Sequence, residues 1–84
     1  MILYKTRDFI KSLEQLPNSV RHIFERQERI FENNWRDSRL HIKKLREFQD
    51  AYSFRITRRY RALFYFEGGK AVFFIIGHRK DIYK

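Results

Sequence analysis

The sequence predicts an α+β domain of order β-α-α-β-β-β, with a helical hairpin packed on one face of a small, mostly antiparallel sheet. Between Arg7 and Phe31, apolar residues recur at three- and four-residue spacing in two stripes separated by Pro17, the period of two amphipathic helices. From Tyr52 to Gly77 they instead form three strand-like runs. Between the last two runs stands Glu67-Gly68-Gly69-Lys70, a hairpin signal because adjacent glycines accept positive φ without a Cβ penalty. At 84 residues the chain makes one domain, residues 1–84, small enough to bury only about 60% of its unfolded surface.

Ile2, Leu3 and Tyr4 form a short apolar strand. Thr6 follows, with a hydroxyl able to cap a helix from about Arg7, and Asp8 falls in its first turn. Phe9, Ile10, Leu13 and Leu16 share one stripe of that helix. Pro17 ends it and is tolerated at the start of a second helix, with Asn18 or Ser19 to cap the free amides. Val20, Ile23, Phe24, Gln27, Ile30 and Phe31 keep the helical period, while Arg21, Glu25, Arg26, Glu28, Arg29 and Glu32 alternate in sign and read as a solvated face. The pattern dissolves from Asn33 to Asp37, where Trp35 reads as a plug over the end of the helical hairpin rather than a stacking platform.

Residues 38–51 read as a loop with a helical turn, in which Leu40, Ile42 and Leu45 are interspersed with His41, Lys43, Lys44 and Arg46. Tyr52, Phe54 and Ile56 alternate with Ser53, Arg55 and Thr57, a half-buried strand. Arg58 and Arg59 make a turn, and the runs 60–67 and 71–77 are the two strands of the hairpin. Parity sets Phe64 and Phe66 on the face opposite Arg61, Leu63 and Tyr65, so the helices can cover one face while basic residues hold the other.

Composition narrows the function. Without cysteine there is no disulfide, thiolate nucleophile or Cys-ligated zinc. His22 and His41 lack partners at ligand spacing, so neither metal nor cofactor is expected. The longest apolar run, 71–76, is far shorter than the ~20 residues of a membrane helix, and Met1-Ile-Leu-Tyr4 meets Lys5 too soon for a signal peptide. A soluble, cytoplasmic protein with no membrane partner is the expectation. Charge is unevenly placed: residues 1–37 hold seven Lys/Arg against six Asp/Glu, and residues 38–84 twelve against four, so the net +9 divides as +1 and +8. A one-sided basic field gathers polyanions, which points to a phosphate backbone or an acidic protein.

In the second half, Ser53-Phe-Arg-Ile-Thr-Arg-Arg-Tyr-Arg61, Ala62-Leu-Phe-Tyr-Phe66, Val72-Phe-Phe-Ile-Ile-Gly-His-Arg79 and Asp81-Ile-Tyr83 resemble the toxins of the RelE/ParE superfamily, and within it the RelE branch. The resemblance implies a ribosome-dependent endoribonuclease that cuts messenger RNA in the ribosomal A site without a metal, the ribose 2′-hydroxyl attacking the adjacent phosphate. It also implies a cognate antitoxin protein. Such a reaction requires a base for the 2′ proton, cations around the crowded phosphorane and an acid for the departing 5′ oxygen.

Arg61, in Tyr60-Arg61, matches the place of the family's phosphate-clamping arginine, and an arginine fork suits two phosphate oxygens. Arg55 shares its face by parity, and Arg58 and Arg59 add phosphate contacts from the turn. Gly77-His78-Arg79-Lys80-Asp81-Ile82-Tyr83 matches the family's Gly-His-(Arg or Asp)-x-x-(hydrophobic)-Tyr close. It implies proton transfer at His78 and Tyr83 and phosphate binding at Arg79. Lys43 and Lys44 fall where RelE-type members keep lysines near the scissile phosphate, in some as the base; which of the two corresponds is open, and Glu47 is a carboxylate of that segment that could serve instead. A ParE-like inhibitor of DNA gyrase and an inactive RNA-binding relative are the alternatives. His78 and Tyr83 beside Arg61 favour the nuclease, because a binder needs the charge but no proton-transfer group.

Overall fold

The two apolar stripes fold into the helical hairpin they predict. In the computed structural model, which describes residues 1–46, 48 and 50–82, β1 (Ile2–Lys5) leads into α1 (Arg7–Glu14) and α2 (Asn18–Asn33). The Thr6 hydroxyl accepts from the Phe9 amide at 3.2 Å, capping α1. α2 is capped differently from the expectation: Pro17 is its N-cap, with no side-chain cap, and the Pro17 carbonyl accepts from Val20 and Arg21. Asn18 turns instead to accept from the Arg21 guanidinium.

A 3₁₀ turn (Ser38–Leu40) follows, then β2 (Lys43–Lys44), β3 (Ala51–Arg55), β4 (Tyr60–Glu67), β5 (Lys70–His78) and the short α3 (Arg79–Ile82). The helical turn expected in residues 38–51 is the 3₁₀ segment. β2 and α3 are additions to the predicted order, each too short for hydrophobic periodicity to reveal. The sheet order is β1-β5-β4-β3-β2; β1 and β5 pair in parallel, and the other neighbouring strands among the described residues pair antiparallel. Gly68 and Gly69 take φ of 57° and 78° at the β4–β5 turn, as the hairpin requires.

Phe9, Phe24 and Phe31 from the helices meet Phe54, Phe64 and Phe73 from the sheet, all six fully buried. Phe31 sits edge-on to Phe64 at 5.1 Å and to Phe73 at 5.2 Å, the arrangement ring quadrupoles favour. Lys5 reaches Glu28 at 2.6 Å, tying β1 to α2 and removing Glu28 from the solvated face assigned to it.

One irregularity shapes the rest. Leu63 pairs with Ile75 but Phe64 pairs with Phe73, leaving Phe74 as an extra residue in β5, a β-bulge. Before it, Ala71 and Phe73 face the helices; beyond it Ile76 does.

Candidate functional site

Basic side chains gather on the sheet face away from the helices, through pairing alone. Arg55 lies directly opposite Arg61 across β3 and β4, and Lys43 lies opposite Ser53, two residues before Arg55 on the same face. Lys44 pairs with Tyr52, whose ring stacks on the core residue Phe64. Lys43 is thus the lysine in phase with the arginines. α3 brings in Arg79 by its first backbone amide, which donates to the Arg59 carbonyl at 2.7 Å.

The result is a cavity of about 270 Å³ lined by His41, Lys43, Lys44, Leu45, Ser53, Arg55, Arg61 and Arg79. Five of these carry basic side chains, and no described lining residue is a carboxylate. Arg55 Nε is buried with no hydrogen-bond partner among the described residues, an arrangement that an anion's oxygens would satisfy. Arg61 spends one nitrogen locally: Nη1 donates to the carbonyls of Thr57, Arg58 (2.9 Å) and Tyr60 (3.1 Å), bracing the β3–β4 turn. Among the described residues, no three of His, Cys, Asp or Glu are grouped to hold a metal ion, and no helix is long and apolar enough to cross a membrane.

No family model and no curated protein matches the chain by sequence. Solved structures do. The RelB-RelE antitoxin-toxin complex from Methanococcus jannaschii matches with a TM-score of 0.79 at 25% identity, over 96% of this chain and 95% of that one. The chain has the RelE-type toxin fold. The archaeal RelE-RelB complex from Pyrococcus horikoshii OT3 (TM-score 0.74, 18% identity, 95% and 96% covered) and the intact E. coli RelBE toxin-antitoxin complex (TM-score 0.71, 18% identity, 92% and 94% covered) have the same fold.

On this RelE-type scaffold the other expected site residues take distinct places. His78 pairs with Tyr60 and meets its ring at 5.4 Å, so it lies on the helix face. There it lines a separate cleft of about 690 Å³ with Gln15, Leu16 and Asp81, while its Nδ1 accepts from the Lys80 amide at 3.1 Å. Arg58 and Arg59 are exposed at the β3–β4 turn, outside the cavity lining. Tyr83 and Glu47 lie outside the described residues. His41 lines the cavity although its spacing singled nothing out; its signal is conformational, a φ of 48° rare for a residue with a side chain.

Proposed function

We propose that this protein is the toxin of a type II toxin-antitoxin pair and acts as an endoribonuclease on ribosome-bound messenger RNA. The observation that carries the reading is the convergence of Lys43, Lys44, Arg55, Arg61 and Arg79 on one small cavity without a described carboxylate. A phosphorane gathers negative charge on its non-bridging oxygens, and preorganised guanidinium groups stabilise that charge more than they stabilise the ground state. In this reading Arg55, Arg61 and Arg79 hold the phosphate, and Lys43 and Lys44 exchange protons with the 2′ and 5′ oxygens. His78 acts from behind the sheet, fixing the start of α3 and with it Arg79. Tyr83 carries the role that the resemblance gives it.

The neutralising partner would be a cognate antitoxin, by analogy with the RelB of the three matching complexes. An acidic segment suits the +8 half of the chain. Single-turnover cleavage on programmed ribosomes is the test. Arg55→Ala should lower the rate about a hundredfold, as loss of one transition-state donor commonly does, with ribosome binding changed much less. Codon-periodic cuts after induction in cells are the expected result; loss of DNA supercoiling with intact messages would replace the nuclease by the gyrase inhibitor.

A further inference from the structure

Next to the basic cavity lies a second one, of about 310 Å³, built on aromatic rings rather than on cations. Its floor is Trp35 and Tyr52, whose rings meet edge to face at 6.0 Å. Trp35 is partly buried against the core, where it meets Tyr52 of β3 and Phe66 of β4, and it also keeps surface toward this cavity. The exposed Arg36 guanidinium lies over the Trp35 ring at 5.0 Å, where a flat, electron-poor group is already accepted.

Two residues join the cavities. His41 and Lys44 line both, and His41 is held there in the left-handed region, a strained conformation that the surrounding chain must enforce. The acidic member of the lining, Asp37, is neutralised in place. Its carboxylate accepts from Arg39 Nε at 3.0 Å and Nη2 at 2.8 Å, so the rim keeps the positive sign of Arg36 and Lys44.

We propose that this second cavity is a nucleobase subsite: it takes the base of a nucleotide adjoining the phosphate in the basic cavity, stacked against Trp35 with Arg36 displaced onto the base or its phosphate. The inference rests on the reading of the basic cavity as a phosphate site. Aromatic floor, cationic rim and continuity with a phosphate cavity together describe how single-stranded nucleic acid is held. The volume is at the lower end of small-molecule pockets, roughly 300 Å³, so one base fits and a folded peptide element does not.

Trp35 is the chain's single tryptophan, so its fluorescence reports the subsite without a label. A short oligoribonucleotide made non-cleavable by 2′-deoxy substitution is titrated while Trp35 emission and the anisotropy of a dye at one oligonucleotide end are both followed. The expected result is quenching that saturates with the anisotropy change. An abasic residue walked along the oligonucleotide should abolish quenching at one position and weaken binding there by roughly 5- to 150-fold, the usual worth of a stacked base. Arg36→Ala, an exposed position, should weaken binding several-fold at unchanged melting temperature, and Trp35→Phe should keep the fold and bind less tightly. Binding with unchanged Trp35 emission, equal effects at every abasic position, absence of binding at low salt, or tighter quenching by an acidic peptide each overturns the subsite. Ribosomal cleavage is read separately: cleavage without base-dependent quenching removes the subsite and leaves the nuclease, while base-dependent quenching without cleavage does the reverse.

Discussion

If the basic cavity binds RNA through phosphates, its affinity has a predictable dependence on salt. Five cations line it, and on a single strand each neutralised phosphate contributes a log–log slope of about 0.7. Full engagement therefore gives a slope of about 3.5, so that raising monovalent salt from about 50 to 200 mM weakens binding roughly a hundredfold. Arg79→Ala isolates one contact cleanly, because the bond anchoring α3 to the β3–β4 turn comes from the Arg79 backbone amide and survives the substitution. The variant's slope should fall by about 0.7. Lys70→Ala, at the hairpin tip opposite Glu67, should leave the slope unchanged. Anisotropy titrations of a labelled, non-cleavable single strand across a salt series measure all three. A parent slope near zero, or the same slope in Arg79→Ala as in the parent, would refute the assignment of these cations to phosphates.

Removal of one fully buried ring of the phenylalanine cluster, Phe31→Ala, should cost about 3–5 kcal/mol in chemical denaturation, enough to unfold much of so small a domain. At His41, φ 48° makes the choice of residue decisive: His41→Val should lose about 1–2 kcal/mol by the same measurement and His41→Gly much less. Side-chain hydrogen bonding from Arg39 pulls the Asp37 carboxyl down from 3.8 to about 2, so its contribution to stability is present above pH 4 and is lost as pH falls from about 4 to 2. In pH-dependent melts, Asp37→Asn should be less stable than the parent near neutrality, and the gap should close over that interval.

The helices, the hairpin and the separation of a core face from a basic face were legible because each rests on repeated spacing. Phe9 and Leu13 recur at helical spacing in the first stripe and Phe24 and Phe31 in the second, and Arg55 and Arg61 are separated from Phe54 and Phe64 by parity. What sequence could not show is the bulge at Phe74. Simple alternation puts Val72, Phe74, Ile76 and His78 on one face, with the arginines. The inserted residue reverses the phase, sending Ile76 and His78 toward the helices and leaving Arg79 to reach the cations. The choice between Lys43 and Lys44 was equally out of reach, since a two-residue strand has no period and its phase is fixed only by pairing with β3.

The bulge also sits at a place where the chain's lettering is ambiguous. Ile75 and Ile76 are identical side chains, and sliding the end of β5 by one residue would flatten the bulge while exchanging one isoleucine for the other in the core, with no change in packed volume. Hydrophobicity cannot choose between these two alignments. Gly77 biases the choice: a Cβ at its position would lie 3.1 Å from the Ile82 methyl of α3, close enough that the Ile82 side chain would have to shift by a few tenths of an ångström. The absence of a side chain thus acts as a punctuation mark that favours one reading frame of the strand, the one in which Arg79 rather than His78 turns toward the arginines.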